Sequence, residues 1–176
     1  MKILALSGSL RAASENTRVL RAAALLAPAH VQVRLYLGLG ELPLFNPDIE
    51  FPHPPAVAAL RTAISAADAV VIASPEYAHG VSAVIKNALD WMVGNESFVD
   101  KPVALINAAP RATHAYLALR ETVSMMSARV IDAACVTLAE PVTGMTEQQI
   151  AQHPQHAAVL AGVLETLATS MREGKG

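Results

Sequence analysis

The chain has 176 residues, a length that suits one domain, spanning 1–176, around a single buried core. It is 53% hydrophobic, and 13 Lys and Arg face 15 Asp and Glu. That excludes a disordered chain and lacks the basic face of a nucleic-acid binder. The one cysteine, Cys135, leaves no internal disulfide and no cysteine-built metal site, and fits a reducing compartment.

Residues 2–6, KILAL, read as a first strand. Their apolar run of about four residues is short of the ~7–15 of a signal peptide. No stretch approaches the ~20 apolar residues of a membrane span, so the expected location is the cytoplasm. A polar loop, SGSLRAASENT, covers residues 7–17 and leads into a helix over 16–27, rich in Ala, Leu and Arg. A second strand covers 31–35. The connection over 38–55 is long and proline-rich, with PLFNPD and FPHPP, and is either functional or a surface excursion. A helix over 56–67 leads to a strand at 69–73, the turn SPEYAHG at 74–80 and a helix over 81–92. A strand at 103–107, a loop at 108–114, a helix over 113–127, a last strand at 130–136 and a helix over 148–171 complete the chain. The strands are rich in Val and Ile with little alternation, as strands buried on both faces are. Strict alternation of five strands with five helices predicts an α/β fold: a five-stranded parallel sheet of flavodoxin-like order 2-1-3-4-5, helices on both faces.

In such a sheet ligands sit outside the carboxyl ends of the strands, where the order reverses between strands 1 and 3. The loops at 7–17 and 74–80 therefore matter most, flanked by 108–114. A helix start favours anions. Ser9, Ser14 and Thr17 offer hydroxyls, Asn16 an amide and Arg11 a charged fork, a donor set matched to a phosphate monoester. Ordinary capping by Ser14 or Asn16 would account for one residue but not for Ser9 and Arg11 beside it. The loop is no GxxxxGK[ST] motif, and GLGELP at 38–43 lacks the third glycine of a dinucleotide fingerprint. Without a cysteine in the loop, no thiolate attacks a phosphate here. In the second loop, the backbone and Tyr77 suit a flat, heteroatom-rich ring, or Tyr77 simply packs on the edge. Glu76 is either a general base or a residue whose backbone meets the ligand. His79 has no partner at a catalytic spacing and reads as exposed or as a subunit contact.

GSLRAASENT resembles the GSxRxxSxN loop of the NADPH-dependent FMN reductase family. SPEYAHGVSAVIKNALDW resembles the family's second signature, a PEY turn before a helix reading LKNAxDW, and KPVALINAAP the strand before its third flavin loop. The resemblance runs over roughly residues 1–112. It implies a flavodoxin-like domain holding FMN without a covalent bond. Ser9, Arg11, Ser14 and Asn16, with Thr17 beside them, would bind its phosphate, and Pro75, Glu76, Tyr77 and Ala78 would lie by its ring. It further implies ping-pong hydride transfer from NADPH or NADH through FMN to a small-molecule acceptor such as a quinone, azo compound, chromate or flavin, with no catalytic side chain. A homodimer or homotetramer would use the helix carrying Lys86, Asn87, Asp90 and Trp91. Lys86 and Asp90 are also spaced for a local ion pair, and Trp91 for the core. Two departures stand out: Ala78 replaces an Asn, and the third loop, AAPRATHA, has no glycine. A non-catalytic flavodoxin-type carrier and a degenerate nucleotide-binding domain are the alternatives.

Overall fold

In the computed structural model, which describes residues 1–173, a parallel sheet is covered by helices on both faces. The elements that build it are β1 (Lys2–Ser7), α1 (Glu15–Leu25), β2 (Gln32–Leu35), α2 (Pro55–Ser65), β3 (Ala69–Ala73), β4 (Glu76–Tyr77), β5 (Gly80–Val81), α3 (Ala83–Asp90), β6 (Pro102–Asn107), α4 (Thr113–Met125), β7 (Arg129–Val130), β8 (Val136–Thr137), α5 (Glu147–Gln152) and α6 (Pro154–Glu173). The sheet order is β2-β1-β3-β6-β7, with β8 also paired to β6. This is the expected 2-1-3-4-5 order, the last position being shared by two short strands.

Alternate residues of each strand feed opposite cores. Ile3, Ala5, Val71, Ala73, Ala104 and Ile106 pack with α1 and α6; Leu4, Leu6, Val70, Ile72, Val103 and Leu105 pack with α2, α3 and α4. The period of two sends successive side chains to opposite faces, and both faces are covered. Register aligns Ser7 of β1 with Ala73 of β3, so both strands release their chains at the same level.

The structure departs from the expected elements in three places. The last strand is not continuous over 130–136. Residues Asp132–Ala134 turn out of the sheet, and the Asp132 carboxylate accepts a 2.6 Å hydrogen bond from Arg120. A carboxylate cannot lie in the buried sheet unpaired. The Leu105 N–H, left without a ladder partner, donates to Cys135 Sγ at 3.4 Å. Burial pushes the half-buried Cys135 thiol up, which suits an inert residue.

The terminal helix is two helices. His153 is extended (φ −75°, ψ 119°) because a residue before proline avoids helical geometry, and Pro154 then opens α6. The helix expected from residue 81 begins at Ala83, capped by the Ser82 hydroxyl, which accepts from the Ile85 N–H at 3.4 Å. Val81 lies instead in a hairpin with β4.

Candidate cofactor site

The loop after β1 runs beside the loop after β3, joined at Gly8. The Gly8 N–H donates to the Ala73 carbonyl at 2.8 Å, and the Gly8 carbonyl accepts from the Ser82 hydroxyl at 2.6 Å. A Cβ on Gly8 would stand 2.3 Å from Ser74 Oγ and 2.8 Å from Ser74 Cβ. This is the one glycine the loop requires, and what it permits is close approach of two backbones.

The first loop is held by its own short side chains. Ser7 and Thr17 hydroxyls pair at 2.7 Å, Ser9 Oγ accepts from the Arg11 N–H at 3.3 Å, and Ser14 Oγ caps α1 by accepting from the Thr17 N–H at 3.2 Å. Among the described residues the N–H groups of Leu10, Ala12, Ala13, Glu15 and Asn16 meet no acceptor. Arg11 is exposed and has no acidic partner among the described residues. Open amides at a helix start beside an unpaired guanidinium favour an anion.

Ser9, Arg11 and Thr17 line a cleft of about 200 Å³ with Arg21, Leu35, Tyr36 and Leu39. Arg21 stands one helical turn beyond Thr17, and the sequence reading passed over it; its spacing from Thr17 was the available signal. Burial, and then the charge of Glu41, push the Tyr36 phenol up, so it remains an O–H donor. Ser14 and Asn16 do not line this cleft; both are buried in the first turn of α1. A second cleft of about 240 Å³, lined by Lys2, Gln32, Arg34 and Ala63, lies at the opposite end of the strands and holds none of these groups.

The second loop is a hairpin. Glu76 pairs with Val81 and Tyr77 with Gly80, and the two residues between, Ala78 and His79, take φ values of 49° and 60°. Two positive φ values in a two-residue connection match the type I′ turn, which favours Asn and Gly. An alanine here stores strain on the order of 1 kcal/mol. The imidazole of His79, exposed as expected, stacks on His114 with centroids 4.1 Å apart and planes 17° apart. Pro75 is half-buried and Tyr77 is exposed at the rim.

Glu76 has a structural partner that the sequence did not suggest. Its carboxylate accepts the Ala115 N–H at 2.8 Å and so caps α4, whose own capping position, Ala112, has no side-chain acceptor. The third loop is tied down from β6: Asn107 donates to the Ala112 carbonyl at 3.0 Å and accepts from the Ala109 N–H at 3.1 Å.

The helix after the hairpin serves the long connection. Asn87 accepts from the Phe45 N–H at 2.8 Å and donates to the Pro43 carbonyl at 3.0 Å, which also accepts from Trp91 Nε1 at 2.7 Å. Phe45 meets the buried Trp91 ring edge-on at 5.1 Å. Lys86 and Asp90 form the local ion pair their spacing allows, at 2.5 Å. Thus Asn87 and Trp91 anchor residues 43–45 of the long connection on α3.

Comparison with known proteins agrees with this architecture. A family model described as NADPH-dependent FMN reductase matches residues 1–142. The chain is 44% identical to an NADPH:quinone oxidoreductase of Arabidopsis thaliana over 113 residues, covering 61% of this chain and 57% of that one. It is 38% identical to an NAD(P)H-dependent FMN reductase of Pseudomonas aeruginosa over 112 residues, covering 62% and 60%. The chain thus spans about three-fifths of the length of these relatives. The structure of the flavoenzyme NAD(P)H:(acceptor) oxidoreductase FerB from Paracoccus denitrificans superposes with a TM-score of 0.80 at 24% identity, over 98% of this chain and 97% of that one, a likeness of fold. No helix among the described residues is long and apolar enough to cross a membrane.

Proposed function

The chain belongs to the NADPH-dependent FMN reductase family, and from that premise we propose that it binds FMN across the β1 and β3 loops and works as an NAD(P)H-dependent oxidoreductase reducing small acceptors of the quinone class. The observation that carries this reading is the set of open amides and the unpaired Arg11 at the start of α1. They fit the doubly charged, acceptor-rich phosphate of a mononucleotide.

In this reading Arg11 neutralises the phosphate, Ser9 and Thr17 donate hydroxyls to it, and Ser14, which caps α1, and Asn16 complete the phosphate site at the helix start. Pro75, Glu76, Tyr77 and Ala78 form the turn that meets the flavin ring. The Glu76 carboxylate, engaged by α4, sets the distance between that turn and the third loop. Asn107 holds the other side of the crevice. FMN when bound supplies two-electron transfer between the nicotinamide and the acceptor, so no side-chain nucleophile is needed. The residues orient the partners, keep water out and supply hydrogen bonds.

A donor and an acceptor that would occupy this crevice in turn predict ping-pong kinetics, with either NADPH or NADH as donor. Azo compounds, chromate and free flavin belong to the same acceptor set. A cytoplasmic homodimer or homotetramer is the proposed form; the exposed Leu44 and Phe51, in the connection anchored by α3, favour an assembly that covers them.

The test is to load purified protein with FMN and follow NADPH oxidation with a quinone. Saturable oxidation that fits parallel-line kinetics is the expected result. Yellow protein that consumes no NADPH would leave a flavodoxin-type carrier, and protein that takes up no FMN would overturn both.

A further inference from the structure

A cluster of side chains able to bind a metal lies where the chain leaving β8 meets the α5–α6 corner, and nothing in the cofactor site uses it. Glu140 follows β8, His153 ends α5, and His156 lies in the first turn of α6. His153 Nε2 is 3.8 Å from Glu140 Oε2. The imidazoles of His153 and His156 have centroids 4.4 Å apart, and one ligand atom from each of the three residues falls within 4.8 Å of the others.

Packing alone leaves this arrangement unexplained. His156 is 3% exposed, and its imidazole packs against that of His153 with no hydrogen bond to it among the described residues. His153 Nδ1 is buried with no hydrogen-bond partner among the described residues, a costly state for a polar atom.

We propose that Glu140, His153 and His156 bind one divalent transition-metal ion of the Zn²⁺ type, with water completing the coordination. Two imidazole nitrogens and one carboxylate are ligands that suit zinc and its neighbours, and are too few in oxygen for calcium or magnesium. Bonds of about 2.0–2.2 Å put ligand atoms roughly 3.3–3.5 Å apart. Small side-chain rotations close the present spread to that spacing, because the HPQH segment carries both imidazoles on one corner. The ion would brace the α5–α6 corner against the chain leaving β8, whose two-residue pairing with β6 is short.

The experiment titrates chelator-treated full-length protein with Zn²⁺ by calorimetry and follows thermal unfolding in parallel. One ion per chain and a rise in melting temperature are expected. Replacing the exposed carboxylate, Glu140→Gln, leaves the fold intact and weakens Zn²⁺ binding by roughly tenfold or more, since even outer partners of metal ligands are worth about 10–100-fold. His153→Gln does the same. The double substitution His79→Gln/His114→Gln removes the other histidine pair and leaves the titration unchanged. Absence of saturable binding, binding indifferent to Glu140→Gln and His153→Gln, or binding lost with His79 and His114, would each overturn the proposal.

Discussion

The loop after β1 and the loop after β3 touch at Gly8 but hold their shapes by different means. The first is satisfied within about ten residues: Ser7 with Thr17, Ser9 with the Arg11 amide, Ser14 with the first turn of α1. Its polar side chains leave Arg11 exposed and five amides without an acceptor among the described residues. The second loop is held from a distance. Ser82 reaches Gly8, Glu76 reaches the start of α4, and His79 stacks on His114. It also carries two non-glycine residues at positive φ. The first loop's shape is set by a local motif, whereas the second loop's shape depends on three separate chain segments.

Substitutions at four positions probe that contrast, the largest effect first. Gly8→Ala strikes the point both loops share. The added Cβ meets Ser74 and Ser82 in a buried place, and overpacking of this kind costs about 1–3 kcal/mol. Chemical denaturation should show that loss together with weaker FMN uptake. Wild-type stability in Gly8→Ala would mean the two loops are free to move apart.

Arg11→Ala should act on the first loop alone. Removing a charge-assisted phosphate contact costs about 1.5–3 kcal/mol, or roughly 10- to 150-fold in the FMN dissociation constant. The melting temperature of the flavin-free protein should stay unchanged, because Arg11 is exposed and unpaired. An unaltered dissociation constant would place the phosphate elsewhere.

Glu76 separates capping from proton chemistry. Glu76→Ala should lower stability by about 1 kcal/mol through the lost cap on α4. Glu76→Gln keeps an oxygen acceptor for the Ala115 N–H and should keep most of the stability and the turnover rate. A collapse of turnover in Glu76→Gln at unchanged FMN affinity would instead mark the carboxylate as an acid or base.

The smallest effect is a gain. Asn tolerates the left-handed region better than Ala, so Ala78→Asn should raise stability by roughly 0.5 kcal/mol, seen as a slightly higher melting temperature. A drop would show that contacts of the alanine methyl outweigh the strain.

The order of strands and helices, the meeting of the β1 and β3 loops and the cluster of polar donors at the start of α1 were all legible in the sequence. Each rests on short-range information: runs of buried Val and Ile, the alternation of elements, and a dense set of donors at one helix start. Residues 130–136 and 148–171 were misread as continuous elements. Composition there is apolar or helical, and the breaks come from the Asp132 carboxylate turning toward Arg120 and from Pro154 acting on His153.

Pairings between distant residues lay beyond the sequence. Glu76 looked like a ligand-side or catalytic group, and only the fold brings its carboxylate to the bare amino end of α4, 39 residues later. Asn87 and Trp91 matched a helix signature, and the structure gives them residues 43–45 to anchor. Glu140, His153 and His156 are spread over three elements with no motif spacing, and they meet because the chain turns at Pro154 beside the end of β8. Local hydrogen-bond and steric preferences act between near neighbours in the chain and can be read from it. Which carboxylate meets which helix end is settled by packing the layers, where burial leaves polar groups no choice but to find one another.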